Sequence, residues 1–140
     1  MVNNRLFIHV ASVIHRVLYR VSGGLIGATI GVPILLLTTI GRKTGRSRTT
    51  PLLYVKDGRG WVIVASYGGD DRHPAWWLNL QRTPIATIQV KQSVNRVRAR
   101  EATEEERSRL WSLAVRVYPA YEDYQRRTRR KIPVVILEPV

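Results

Sequence analysis

The chain has 140 residues, 44% of them hydrophobic, enough for one domain with a sizeable core. Its 23 Lys and Arg against 10 Asp and Glu give a formal net charge of +13, which favours an anionic partner: nucleic acid, membrane headgroups or a small polyanionic ligand. The absence of cysteine excludes disulfides, thiolate metal ligands and a cysteine nucleophile; His9, His15 and His73 lack the spacing and neighbouring carboxylates of a metal site, so no metal is expected.

Residues 4–21 read as an amphipathic helix, with Leu6, Val10, Val13, Ile14, Val17 and Val21 on one face and Arg5, Ser12, Arg16, Tyr19 and Arg20 on the other. Such a helix either caps a barrel or lies on an anionic membrane surface. No residue from Val21 to Gly41 is charged, a length that could span a bilayer. Glycines at 23, 24, 27, 31 and 41 and Pro33 interrupt it, so it reads as a Gly-rich connection followed by a buried strand, Ile34–Ile40. No small-residue cleavage site follows a compact apolar core, so a secretion signal is not expected. The expected location is the cytoplasm, with residues 4–21 as the candidate for peripheral contact at the inner face of the plasma membrane.

The segment Ile40 to Pro51 places Arg42, Lys43, Arg46, Arg48 and two glycines, Gly41 and Gly45, between short apolar runs. Fixed cations around converging backbone amides make a seat for an anion, most plausibly a phosphate; the plain alternative is a solvated basic hairpin tip. The segment is not a P-loop, because its glycines lack the four-residue spacer and the terminal Gly-Lys-Ser/Thr. Lys56 to Gly60 is a turn joining Leu52–Val55 to Trp61–Ser66 as a hairpin, and Gly68 to Asp71 forms a flexible loop. A short helix follows, with Pro74 in its first turn, Asp71 or His73 near its cap, and Trp76, Trp77, Leu78, Asn79 and Leu80 on it. Thr83-Pro84 stops it.

Strands are expected at Ile85–Val90 and Val94–Arg100, the second presenting Arg96, Arg98 and Arg100 as a cationic row. Thr103 and Glu106 form a capping box for a helix striped by Leu110, Leu113, Ala114 and Val117. Pro119 ends that helix and opens another to about Arg130, carrying Tyr118, Tyr121 and Tyr124 at spacing three. Ile132–Leu137 closes the chain as a buried strand. About six antiparallel strands, with N-terminal, short middle and C-terminal helices, make a mainly β, α+β single domain over 1–140: a small barrel core at 30–140 preceded by the helix within 1–22.

No Gly-x-Ser-x-Gly, paired carboxylates or Cys–His pair is present, so an enzyme built on this chain would position a bound cofactor. Three features fit that role. The basic loop can hold a phosphate; the Val64-Ala65-Ser66 strand end, followed by glycines, lets backbone approach a flat ring; and the three tyrosines can wall in a second planar molecule and donate a proton. Each also has a plain structural reading: Trp76 and Trp77 as core, the tyrosines as packing, Asn79 as a buried amide bonded to a nearby loop.

The succession Leu-Thr-Thr-Ile-Gly-Arg-Lys-Thr-Gly (37–45), Arg48, Thr50-Pro51-Leu52, Val64-Ala65-Ser66, Pro74-Ala75-Trp76-Trp77-Leu78-Asn79-Leu80 and Tyr118-Pro119-Ala120-Tyr121-Glu122-Asp123-Tyr124 closely resembles the deazaflavin-dependent nitroreductase and quinone reductase family, actinobacterial enzymes that use coenzyme F420. The resemblance runs over roughly residues 30 to 139. It implies a split β-barrel related to the FMN-binding barrels, and hydride transfer from the reduced deazaflavin to a quinone or nitroaromatic acceptor. By position, Arg42, Lys43, Thr44 and Arg48 would contact the cofactor's phosphate and oligoglutamate tail. Pro51, Val64, Ala65, Ser66, Ala75, Trp76 and Asn79 would shape the deazaflavin pocket, together with Tyr67, where many relatives carry lysine. Tyr118, Tyr121 and Tyr124 would line the acceptor site, with Tyr121 and Ser66 as proton or hydrogen-bond donors. Leu53 stands where the strongest nitroimidazole reducers carry tyrosine, which makes quinone reduction the expected activity. Two other readings are an FMN-binding split-barrel oxidoreductase and a basic, non-enzymatic barrel binding nucleic acid; no oligonucleotide-recognition signature supports specific nucleic-acid binding.

Overall fold

The computed structural model describes residues 33–140; the expected helix at 4–21 and the Gly-rich connection lie outside the described residues. A seven-stranded antiparallel sheet runs in the order β2-β1-β5-β6-β7-β4-β3, formed by β1 (Ile34–Ile40), β2 (Ser47–Leu53), β3 (Val55–Asp57), β4 (Gly60–Val64), β5 (Ile85–Val90), β6 (Ser93–Glu101) and β7 (Val134–Pro139). Among the described residues three α-helices accompany it: α1 (Ala75–Arg82), α2 (Glu104–Val117) and α3 (Ala120–Arg127). The sheet curls so that β2, at one edge, approaches β4 near the other, giving the split-barrel form expected from the sequence.

Strand periodicity explains the two apolar layers. Along β4 and its continuation, Trp61, Ile63 and Ala65 enter the larger core with Leu35, Leu37, Ile88, Val97, Val135 and Leu137, capped by Trp76, Trp77 and Leu80 of α1. The alternate residues Val62 and Val64 face the other way, where Leu110 and Ala114 of α2, Tyr121 of α3 and Val134 cover them. β4 is buried on both faces, which is why it reads as a continuous apolar run rather than as an alternating one.

Several boundaries differ from those expected. The chain after the basic loop is extended from Ser47, and it breaks at Tyr54, so the expected Leu52–Val55 strand divides between β2 and β3. Pro51 is tolerated inside β2 because that strand is an edge and its missing N–H faces no neighbour. Pro74 is the N-cap of α1 rather than its first helical residue, and neither Asp71 nor His73 caps it. α3 ends at Arg127, short of Arg130, and β7 starts at Val134 rather than Ile132. On α2 the capping box is present, and Leu110 and Ala114 are buried while Val117 is exposed.

The loop expected to be flexible at Gly68 to Asp71 is instead a pinned turn. Tyr67, Gly68 and Gly69 have φ of 46°, 65° and 83° in succession. At Gly69 a Cβ would stand 2.8 Å from the carbonyl oxygen of Tyr124, so glycine is required both for its conformation and for the approach of α3. At Gly58, in the β3–β4 turn, φ is +57° and no atom lies within 4 Å of a built Cβ. Gly69→Ala should therefore destabilise the fold by about 2–4 kcal/mol in denaturant titration, and Gly58→Ala by about 1 kcal/mol. Equal losses would contradict the docking of the loop on α3.

Candidate active site

The basic loop between β1 and β2 spans Gly41 to Arg46. Its shape is set internally: Gly41 N–H donates to the Arg46 carbonyl at 2.8 Å, Gly45 N–H to the Gly41 carbonyl at 2.7 Å, and Arg46 N–H to Thr44 Oγ1 at 3.2 Å. The Arg42 amide is taken by Asn79 Oδ1 at 3.1 Å. Four of the loop's amides, those of Gly41, Arg42, Gly45 and Arg46, are thus committed to holding its shape, which leaves few free to converge on an anion and gives that task to the cationic side chains. Lys43, Arg46 and Arg48 are exposed and Arg42 is half-buried. Among the described residues none of these four has a carboxylate partner, whereas Arg72, Arg100, Arg109, Arg126 and Lys131 do.

Asn79 is buried on α1, and its side chain is fully engaged. Oδ1 accepts from both the amide and Nη1 of Arg42, and Nδ2 donates to the buried Thr39 Oγ1 at 3.2 Å. It therefore ties the basic loop to α1 and β1, as the buried-amide reading expected, and its polar atoms face this loop. Trp76 is also buried, in the larger core beside Ala65, whereas Ala75 is exposed at the start of α1. Pro51 is half-buried on β2.

A second group forms around the end of β4. Val64 and Tyr121 share one apolar cluster with Ala114 and Ile132, and Leu53 and Tyr124 pack against it. The tyrosine rings meet as a unit: Tyr118 and Tyr121 lie edge-to-face with centroids 5.1 Å apart, and the Tyr118 and Tyr124 hydroxyls are 2.8 Å from each other. That hydrogen bond, helped by burial, raises the Tyr124 phenol to about 12. Burial, reinforced by its two tyrosine neighbours, pushes Tyr121 well above the ordinary phenol value. Ser66 follows β4 and is 8% exposed; Tyr121 is 5% exposed. Among the described residues neither hydroxyl has a hydrogen-bond partner, in contrast to the buried side chains of Thr39, Asn79 and Thr128.

The residue that holds the end of β4 in place carries no local signal in the sequence. Arg130, expected as the approximate end of the last helix, is folded inward: Nε donates to the Asp70 carbonyl at 2.8 Å, Nη2 to the Ser66 carbonyl at 2.8 Å and Nη1 to the Ala65 carbonyl at 3.2 Å. Nη1 also meets His73 Nδ1 at 3.2 Å, and burial together with the Arg130 charge holds His73 below its ordinary value, leaving that nitrogen free to accept. Among the described residues no group of acidic or histidine side chains could hold a metal ion, and no helix is long and apolar enough to cross a membrane.

A family profile described as F420H2-dependent quinone reductase matches residues 12–139. The chain belongs to this family. A F420H2-dependent quinone reductase of Mycobacterium tuberculosis is 41% identical over 129 residues, covering 89% of this chain and 87% of the relative. Among solved structures, an F420H2-dependent reductase is 44% identical with a TM-score of 0.70 over 76% of this chain and 94% of that one. A heme storage protein of Vibrio cholerae, 13% identical with a TM-score of 0.60 over 79% of this chain and 83% of that one, shares the fold alone. Membership makes the chain an F420H2-dependent oxidoreductase, and neither the FMN nor the nucleic-acid reading is favoured.

Asn79→Ala would leave the Arg42 amide and Thr39 hydroxyl without their partner. It should cost about 2 kcal/mol of stability in urea titration, while Asn79→Asp, which keeps the acceptor beside Arg42, should cost less. An Ala variant as stable as the parent would remove Asn79 as the anchor of the loop.

Proposed function

We propose that this F420H2-dependent reductase passes a hydride to a quinone in the region bounded by the basic loop, the end of β4 and the tyrosines of α3. The observation that carries this reading is a pair of buried hydroxyls, Ser66 just after β4 and Tyr121 in the cluster that Leu53 and Tyr124 pack against, neither of which has a hydrogen-bond partner among the described residues. Buried polar groups without partners in a folded chain are unusual, and a bound molecule can satisfy them.

The residues fit the cofactor. Arg42, Lys43 and Arg48, without carboxylate partners among the described residues, supply charge for a phosphate and an oligoglutamate tail, with the Thr44 hydroxyl beside them. Pro51, the Val64–Tyr67 segment, Ala75 and Trp76 frame the ring, and Asn79 contributes by holding Arg42 and its loop. When bound, reduced F420 supplies the hydride. Tyr118, Tyr121 and Tyr124 wall the acceptor side and exclude water from it. With its phenol held protonated, Tyr121 serves as a proton donor and not as a base, and the Ser66 hydroxyl offers a second hydrogen bond. A planar nitroaromatic compound is a second acceptor class for the same wall, with Leu53 in place of a tyrosine favouring quinones. Peripheral contact of residues 4–21 with an anionic membrane, and with it a place at the inner face of the plasma membrane, rests on the sequence alone.

Tyr121→Phe should lower kcat for quinone reduction about 100-fold, leave the F420 dissociation constant unchanged, and leave stability unchanged or slightly higher, since it removes an unsatisfied hydroxyl. Full retention of kcat would take Tyr121 out of the proton-donating role. Arg42→Ala combined with Lys43→Ala should weaken F420 binding about tenfold or more, and the difference should shrink with added salt. Tryptophan fluorescence quenching reads the affinity and a thermal melt checks the fold; unchanged binding would sink the anion seat.

A further inference from the structure

The strained turn Tyr67–Gly69 carries the residues that flank the candidate site, and three side chains from the end of α3 and the segment after it hold it down. Besides the Arg130 contacts, Thr128 Oγ1 donates to Asp71 Oδ1 at 2.8 Å, and Arg127 Nη1 reaches the Gly68 carbonyl at 3.4 Å while its guanidinium lies 5.5 Å from the Tyr124 ring centroid. Arg130 is the centre of this joint. Its planar fork spans three backbone carbonyls at once, an arrangement an ammonium group cannot copy.

The joint has a consequence for chemistry. Ser66 and the pair Tyr121 and Tyr124 belong to the same candidate site but come from segments more than fifty positions apart in the chain. The sheet fixes Val64 through its pairing with Val134 but ends there. From Ser66 onward the turn is shaped by its own backbone bonds, Gly69 N–H to the Ser66 carbonyl and Asp70 N–H to the Tyr67 carbonyl, and is anchored to the rest of the fold by Arg127, Thr128, Arg130 and the close approach of Gly69 to Tyr124.

We propose that Arg130 is a positioning residue that locks the Ser66–Asp71 turn to the end of α3 and so fixes the cofactor side of the site relative to the acceptor wall. This rests on the site reading above. Arg130 acts through the carbonyls of Ala65, Ser66 and Asp70, to which its guanidinium is committed. Hydride transfer depends on sub-ångström placement, so loosening the turn should lower turnover at saturation more than it weakens binding.

The test compares R130M and R130K with V62A, a core truncation beneath Leu110 of α2. Three quantities are read: amide hydrogen exchange of residues 66–71 without cofactor, F420 binding stoichiometry, and kcat per bound site with F420H2 and a soluble benzoquinone. R130M should speed exchange in 66–71 about tenfold and lower kcat per bound site about tenfold. R130K should fall between R130M and the parent, and V62A should lose stability while keeping kcat per bound site. If R130M does not fold, R130K decides the matter, and parental kcat per bound site and parental exchange in it overturn the proposal. Faster exchange with unchanged kcat per bound site also overturns it, and does so without touching the site reading, which stands or falls with Tyr121→Phe.

Discussion

β7 is the last strand in sequence yet lies inside the sheet, paired on one side with β6 and on the other with β4. Without it the sheet would separate into a four-stranded piece, β2-β1-β5-β6, and the short β3–β4 hairpin. Its insertion completes the core, with Val135 and Leu137 filling one face and Val134 and Ile136 the other. It also sets the path of the chain entering it: the Pro133 carbonyl accepts from the Ala65 amide at 2.9 Å, so the segment carrying Thr128 and Arg130 must run past the end of β4. The candidate site is therefore assembled by the closing of the sheet, a long-range event whose chain-closure entropy falls on the final strand.

Charge is distributed to match. On β6, Arg100 is neutralised by Glu106 and Glu138, and Arg109 on α2 by Asp57. The Arg100 guanidinium is the main reason Glu106 sits at about 2, with the Thr103 amide of the capping box adding to it. These exposed pairs tie α2 to the sheet while contributing little individually to stability. Arg42, Lys43, Arg46 and Arg48, clustered in sequence around one loop, have no carboxylate partner among the described residues, which suits them to the anionic cofactor tail proposed above.

Much of the scaffold was legible locally. Ile34–Ile40 and Ile85–Val90 announced themselves by apolar β-branched runs, the Thr103–Glu106 box by its spacing, and the short middle helix by Pro74 and the following tryptophans. Asn79 could be recognised as a buried amide because a lone carboxamide among Trp, Leu and Leu has few other places to go. What local pattern could not show was set by distant partners. Ser47 to Pro51 looks like loop, but it pairs along the whole of β1, with Thr49 meeting Thr38 across the strands at 2.9 Å. Arg130 looks like a solvated cation because nothing beside it in sequence reveals carbonyls contributed some sixty positions earlier. The same distance hid the pinning of the Gly68-Gly69 turn, where flexibility was the natural reading of two adjacent glycines.

The most direct measurement is anaerobic reoxidation of reduced cofactor by a soluble benzoquinone, followed by absorbance with the purified protein, using F420H2 in one series and reduced FMN in the other. Protein-dependent, saturable reoxidation of F420H2, with no protein-dependent reoxidation of reduced FMN, is the result that deazaflavin-specific quinone reduction requires. Turnover with reduced FMN alone, or with neither cofactor, would contradict it and leave the split barrel as a shared scaffold with a different chemistry.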